Sequence, residues 1–348
     1  MAAGTGSAAR ASLGRLVFVG AVHEALPALS ALLDSPVDVA EVITLPLDRG
    51  ARTSGLVDLE PLAASRGVPV RRTVDINAPE LVEHVGQLAP DLLVVVGWTR
   101  LLGPDLLGVP ARGCIGFHAS LLPRHRGRAP VNWAILRGET VTGNTMMYLD
   151  VGTDTGDIVD QRRVPIGPDD TCATVYGSVA EVGAAMLRDH LPGLLSGTAP
   201  RRPQGPPDGQ NLPKRTPEMG VTAWARPARA VHDWIRALTQ PYPGAFTHWN
   251  GRKVMLWRSA PPVGADPDVG LPGEVLVCAE DGVWVATSSG RLLVTAVSDP
   301  GSPPCPATEW ARRNGLAPGA QFDEVDEATS LWALGLGPQP APFDGGRV

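Results

Sequence analysis

Short apolar runs alternate with amphipathic segments along the first half of the chain. The apolar runs are residues 16–20, 39–45, 68–70, 92–97 and 114–118, and the amphipathic segments are residues 23–33, 56–66 and 79–88. Strands that alternate with helices form right-handed βαβ units, so this pattern predicts an α/β domain with a doubly wound, mostly parallel sheet. Residues 92–97 (LLVVVG) are apolar throughout, which indicates a central strand buried on both faces. Further helices are predicted at residues 130–138 and 171–195.

The composition changes after residue 198. Residues 199–217 hold six prolines among polar residues, which predicts an extended linker. A helix is predicted next at 228–238, and short strands follow at 246–248, 254–257, 273–278, 283–287 and 292–297, which indicates a small antiparallel barrel. The expected organisation is a flexible tail at 1–12, an α/β domain at 13–198, the linker, a barrel domain at 218–325 and a tail at 326–348.

Composition and charge narrow the class of protein. The 348 residues are 43% hydrophobic, enough to bury a core, and no apolar run reaches the roughly 18 residues of a membrane span. The amino terminus lacks the apolar region of a signal peptide, and the four cysteines are scattered, which predicts a cytoplasmic protein without a metal site. The net charge of -6 disfavours nucleic acid as a partner, although such a sum is compatible with a local basic patch.

No nucleotide-binding motif accompanies the predicted sheet. The first strand is followed by GAVHEA rather than GxGxxG, and no GxxxxGK[ST] loop is present. A doubly wound sheet of this kind therefore binds some other ligand at the carboxyl ends of its strands.

Candidate chemistry is concentrated in residues 113–160. His118 ends a predicted central strand, and a later polar loop at 150–157 carries three carboxylates. A histidine paired with a carboxylate is the minimum apparatus for moving a proton during acyl transfer. The same residues also fit a structural histidine and a solvated acidic turn. Their spacing alone does not distinguish a catalytic pair from these structural roles.

The stretch HASLLPRHRG…PVNWAILRGE…TG…DTGDIV resembles the formyltransferase family. Later segments, QPYPGAF (240–246), LPGEVL (271–276) and GRLLVTAV (290–297), resemble the OB-like carboxyl-terminal domain of some of its members. The resemblance covers about residues 13–325. It implies an enzyme that transfers a formyl group from 10-formyltetrahydrofolate to an amine without a metal.

The resemblance also implies roles for individual residues. His118 and Asp154 match the family's catalytic histidine and aspartate. The residues that match the donor-binding segments are Arg100, Leu101, Leu102, Ser120, Leu121, Leu122, Pro123, Asp150, Val151, Gly152 and Thr153.

Gly116 departs from the family's pattern, because it stands where the family has an asparagine that helps to bind the developing oxyanion. Some relatives also lack this asparagine, so the change does not imply lost activity. We expect the glycine to open space beside the transferred carbonyl. That space would reflect either relaxed selection or room for an unusual acceptor.

Three further side chains are candidates for binding the acceptor. Arg124 and Arg126 lie beside the expected site and could hold an anionic group, although a solvated loop explains them equally well. Trp98 could stack on the donor or the acceptor, but tryptophan is also an ordinary wall residue.

The acceptor is expected to be a small-molecule amine, such as an amino sugar, an amino acid derivative or an intermediate of antibiotic biosynthesis. A methionyl-tRNA formyltransferase is the alternative. The resemblance implies that such enzymes carry a basic insertion where residues 48–59 here are short and nearly neutral, so tRNA is expected not to be the partner. A folate-binding protein without catalysis and a 10-formyltetrahydrofolate hydrolase are further alternatives. A monomer and a homodimer both remain open.

Overall fold

The first sheet in the computed structural model has seven strands. The structure describes residues 12–262 and 270–340, so most of the expected amino-terminal tail and the last residues of the expected carboxyl-terminal tail lie outside the described residues. The strands are β1 (Arg15–Gly20), β2 (Asp38–Thr44), β3 (Val70–Arg72), β4 (Leu92–Val96), β5 (Cys114–His118), β6 (Val141–Tyr148) and β7 (Ile158–Pro165). They are ordered β3-β2-β1-β4-β5-β6-β7; β1 to β5 pair in parallel, and β6 runs antiparallel to β5. This confirms the predicted doubly wound, mostly parallel sheet.

Alternating side chains of the central strands divide the core between two faces. Leu16 and Phe18 of β1 belong to one buried cluster, whereas Val17 and Val19 belong to another. This is the period-2 pattern of a strand covered on both sides.

The helices are α1 (Ala25–Leu33), α2 (Glu60–Ala64), α3 (Pro79–Leu88), α4 (Pro104–Leu107), α5 (Pro130–Leu136) and α6 (Cys172–Ser196), with a short 3-10 helix at Leu47–Arg52.

The strand order places the carboxyl ends of β1, β4 and β5 side by side. β4 pairs with β1 on one side and with β5 on the other, and the strand order reverses at β1. Open α/β sheets bind ligands at such a reversal, outside the carboxyl ends of the strands. His118 is the last residue of β5 and therefore lies at this edge.

The second sheet is antiparallel in each described pairing, as predicted. It contains β8 (Ala245–Trp249), β9 (Arg252–Ser259), β10 (Val275–Ala279), β11 (Gly282–Ala286), β12 (Arg291–Ser298) and β13 (Cys305–Pro306). The strands are ordered β10-β11-β12-β9-β8, and β13 pairs with β12. Helices α7 (Ala228–Leu238), α8 (Ala307–Asn314) and α9 (Glu327–Ala333) accompany these strands, and a 3-10 helix spans Pro217–Gly220.

The chain divides into two compact units whose borders differ from the expected domains. The first unit contains the described residues up to Arg126 together with Gly143–Arg163 and Gly177–Asp208, and the second contains the remainder. Part of the expected linker therefore belongs to the first unit, because Arg202 exchanges backbone hydrogen bonds of 2.8 and 3.0 Å with Ile158. Proline content predicts extended chain but does not reveal where that chain pairs.

The region expected to be a tail contains α9. The Asp326 carboxylate accepts a hydrogen bond of 2.9 Å from the Thr329 backbone N–H and so caps this helix. Within the described ranges, no helix has the length and apolarity to cross a bilayer. The same residues hold no group of three His, Cys, Asp or Glu side chains arranged to bind a metal.

Candidate active site

His118 is buried at the end of β5 between two acceptors. Its side chain is 8% exposed, and its Nδ1 lies 3.5 Å from Oδ1 of Asp154. Its Nε2 lies 2.8 Å from the backbone carbonyl oxygen of His125. Because a carbonyl oxygen can only accept, Nε2 carries a hydrogen in this arrangement. The structure therefore brings together the two residues that the sequence suggested as a catalytic pair, with the imidazole held in one orientation.

Asp154 lies in a tight loop between β6 and β7. Its φ of 55° is in the left-handed region, which residues with side chains rarely occupy and which is more frequent at functional sites. The Asp150 carboxylate accepts from the Gly152 N–H at 3.0 Å and from the Thr155 hydroxyl at 2.7 Å. A side chain at Gly156 would overlap the Tyr148 carbonyl, so this position requires glycine. The acidic loop is an ordered turn that fixes the direction of the Asp154 carboxylate.

The loop after β5 is held by side chains that the sequence did not single out. The Thr145 hydroxyl of β6 donates to the Ser120 carbonyl at 2.7 Å and accepts from the Leu122 N–H at 3.2 Å. Gln161 of β7 donates to the Leu122 carbonyl at 2.8 Å. Leu121 packs against Gly143, where a Cβ would overlap it. The Leu122–Pro123 peptide bond is cis.

The space expected beside Gly116 is filled. A Cβ built on Gly116 would overlap Cδ2 of Leu149 and lie 3.0 Å from its Cγ. Leu149 follows β6, which pairs with β5 at this level: Gly116 faces Met147. The expectation of open space at Gly116 was therefore wrong, because a neighbouring side chain occupies the volume.

The segment after β4 combines buried and exposed apolar side chains. Leu102 is buried in the core, whereas Leu101 is 60% exposed and Arg100 is exposed. Asn77 holds this segment, since it donates to the Leu101 carbonyl at 3.0 Å and accepts from the Gly103 N–H at 2.6 Å. Trp98 packs against the core, and its Nε1 has no hydrogen-bond partner among the described residues.

The two arginines suggested for acceptor binding have different surroundings. The Arg124 side chain is 56% exposed and pairs with Asp208 at 3.5 Å. Arg126 is 8% exposed, and its guanidinium donates to Oε1 of Gln204 at 2.7 and 3.2 Å. This arrangement favours a positioning role for Arg126 over contact with an acceptor.

Cys114, at the start of β5, is not equipped to act as a nucleophile. Burial raises the pKa of its thiol to about 12, so the thiol stays protonated at neutral pH.

The α/β fold, with a histidine and an aspartate held together at the carboxyl edge of its sheet, has the arrangement of an enzyme active site. The chain belongs to the formyl transferase family: the profile described as Formyl transferase matches residues 33–191, and that of the Formyl transferase, C-terminal domain, matches residues 214–315.

Curated relatives resemble the chain over nearly its whole length. Methionyl-tRNA formyltransferase of Geobacter sulfurreducens is 35% identical over 313 residues, which is 89% of this chain and 97% of that protein. The Moorella thermoacetica enzyme of the same name is 37% identical over 88% of this chain and 98% of its own. The corresponding values for the Myxococcus xanthus enzyme are 38%, 88% and 97%.

Solved structures share the fold at lower identity. HypX from Aquifex aeolicus in complex with tetrahydrofolic acid aligns with a TM-score of 0.61 at 21% identity, over 90% of this chain and 49% of that one. An N-formyltransferase from Helicobacter canadensis aligns with a TM-score of 0.62 at 18% identity, over 80% of this chain and 98% of that one. At these identities the likeness concerns the fold alone.

The curated relatives overturn the expected acceptor. They are methionyl-tRNA formyltransferases, so the expectation of a small-molecule acceptor, with tRNA unlikely as a partner, was wrong. That expectation used the neutral residues 48–59 and the net charge of -6, which is a sum over the whole chain. Residues 201–258 alone hold ten lysines and arginines against three acidic residues.

Proposed function

We propose that this protein transfers the formyl group of 10-formyltetrahydrofolate to the α-amino group of methionyl-tRNA in the cytoplasm. The observation that carries the proposal is the similarity to methionyl-tRNA formyltransferases, at 35–38% identity, through both matched domains. The four cysteines are free, which suits a reducing compartment.

The segment after β4 and the acidic loop fit the formyl donor. Leu101 and Val151 are 60% and 72% exposed and so present apolar surface that a bound donor could cover. The unpaired Nε1 of Trp98 is a buried donor, a condition that proteins rarely tolerate unless a ligand or water pairs with it. In our proposal Leu101 and residues 150–153 contact the donor, which supplies the formyl carbon, and the buried Leu102 anchors the segment that carries Leu101.

His118 moves the proton that the transfer requires. The amine loses a proton when the new C–N bond forms, and the nitrogen that gives up the formyl group gains one. In the proposed mechanism, the doubly protonated His118 ring turns the hydrogen on its Nε2 from the His125 carbonyl to that nitrogen and delivers it, and the same Nε2 then takes the proton that the amine loses. Asp154, 3.5 Å from Nδ1, orients the ring and stabilises its positive charge. Such acid–base assistance is typically worth about 10²–10⁴-fold in rate.

The basic stretch at residues 201–258 supports a polyanionic acceptor. Lys214, Arg229, Arg252 and Arg258 of this stretch belong to the second unit and are exposed. Contacts between such side chains and phosphates weaken as salt rises, because counterions released into a more concentrated salt solution gain less entropy.

The proposal is tested by incubating the protein with 10-formyltetrahydrofolate and methionyl-tRNA. Hydrolysis of the aminoacyl ester then releases the amino acid for mass spectrometry. We expect N-formylmethionine, formed at a rate that falls as salt increases; reactions without donor and with the Asp154→Asn variant are the controls. Formylation of a nucleotide-linked amino sugar in place of methionyl-tRNA would refute the proposal.

A further inference from the structure

Gln204 lies in the segment that the sequence suggested was a linker. Its side chain is half-buried, and the backbone nearby is fixed by the pairing of Arg202 with Ile158 at the start of β7. Gln204 and both active-site loops belong to the same compact unit.

The amide of Gln204 bridges the loop after β5 and the acidic loop. Its Oε1 accepts from Nε and Nη2 of Arg126 at 3.2 and 2.7 Å. Its Nε2 donates to the carbonyl oxygens of Asp154 at 3.0 Å and Gly156 at 2.7 Å. An amide presents an acceptor on one side and donors on the other, so it satisfies a guanidinium and two carbonyls at once.

Both partners of His118 lie next to atoms that this bridge holds. Asp154, whose carboxylate faces Nδ1, has a left-handed backbone, and its own carbonyl is bound by Gln204. His125, whose carbonyl accepts from Nε2, immediately precedes Arg126. A shift of either loop would therefore change the direction in which the imidazole points.

We propose that Gln204 is a positioning residue for formyl transfer, which holds the Asp154 loop against the Arg126 loop and so fixes the orientation of His118. The kinetic part of this inference depends on the proposed function. Gln204 contacts neither donor nor acceptor in this proposal, so its effect is on turnover rather than on binding of tRNA.

The kinetic test compares Gln204→Ala with Gln204→Glu, which keeps the acceptor for Arg126 but loses the donor to the two carbonyls. We expect each variant to lower kcat by about tenfold to a hundredfold, as a misplaced catalytic group does, with KM for methionyl-tRNA changed by less than about twofold. Gln210→Ala is the matched control, because Gln210 is an exposed glutamine of the same segment. In the Asp154→Asn background, Gln204→Ala should lower kcat by a smaller factor than in the wild type, because the Asp154 loop, one of the two loops through which Gln204 acts, is already impaired.

A wild-type kcat for Gln204→Ala, or an equal loss in both backgrounds, would overturn the inference. Hydrogen exchange tests it without any acceptor: amides of residues 120–126 and 150–157 should exchange faster in Gln204→Ala than in the wild type, and Gln210→Ala should match the wild type. Unchanged exchange in both loops would also overturn it. If the wild-type protein fails to formylate methionyl-tRNA, the proposed function fails, and the exchange result alone decides the role of Gln204.

Discussion

Replacement of Gly116 by asparagine should destabilise the protein. The new Cβ would overlap Leu149, with Cγ at 3.0 Å and Cδ1 at 3.3 Å, so Leu149 must leave its present place. Overpacking of this kind typically costs about 1–3 kcal/mol. Removal of a glycine from a strand interior returns only about 0.5–1 kcal/mol. Leu149 is half-buried and its flexible end can turn away, so the cost lies at the low end of this range, and we expect a net loss of less than about 1 kcal/mol in the free energy of unfolding.

The same substitution should not raise turnover. An added oxyanion donor is worth about 10²–10³-fold only when its amide reaches the developing charge. The Leu149 side chain occupies the volume beside Gly116, so the asparagine cannot be seated there without displacing it. Gly116→Asn combined with Leu149→Ala removes the overlap. The double variant should therefore be more stable than the two single variants predict by addition, with a coupling of about 1 kcal/mol.

Urea denaturation of the wild type, the two single variants and the double variant measures the coupling in the free energy of unfolding. Single-turnover formylation measures the rate of the chemical step. Free energies that add within about 0.3–0.5 kcal/mol would refute the overlap. An increased rate in Gly116→Asn alone would refute the argument that Leu149 excludes an amide from this place.

Three further predictions concern particular side chains. His118→Ala and Asp154→Asn should each lower kcat by about 10²–10⁴-fold while the protein remains folded, and near wild-type rates in either would contradict the proposed proton transfer. Burial raises the pKa of Cys114 and Cys172 to about 12, so native protein at pH 8 holds only about 10⁻⁴ of each thiol as thiolate. Iodoacetamide followed by mass spectrometry should find both unmodified until urea is added, and rapid labelling of the native protein would show that they are accessible. Arg215 lies over two tryptophan rings and donates to two backbone carbonyls, so Arg215→Ala should lower the free energy of unfolding by about 2–4 kcal/mol in urea denaturation; a loss near zero would contradict this.

The central strands of the first sheet were predictable because a strand that is buried on both faces consists almost entirely of apolar residues. Residues 114–118 were predicted as a strand and form β5 with the same bounds. β7 was not predicted, since its sequence IVDQRRVP mixes apolar and charged residues. Helix α9 was also missed, because its neighbours are rich in glycine and proline.

The pair at the centre of the site was predictable, whereas its supports were not. The motifs that carry His118 and Asp154 indicated both residues, and the structure places them 3.5 Å apart. Thr145, Gln161 and Gln204 act through hydrogen bonds to backbone atoms of distant segments. A threonine or glutamine that binds a remote carbonyl has no local pattern, so only the fold reveals it.

The expectations drawn from Gly116 and from the net charge failed for the same reason, because each ignored what surrounds the feature in the folded protein. The absence of a side chain at Gly116 suggested empty space, but the volume at a position depends on its neighbours, and Leu149 fills it. The net charge of -6 suggested that tRNA would be repelled, but a polyanion responds to local charge within about a Debye length of ~10 Å. Exposed basic residues such as Lys214 and Arg258 can attract phosphates locally while acidic residues elsewhere set the total. The net charge of a chain therefore does not identify its partner, just as a missing side chain does not show that a cavity is present.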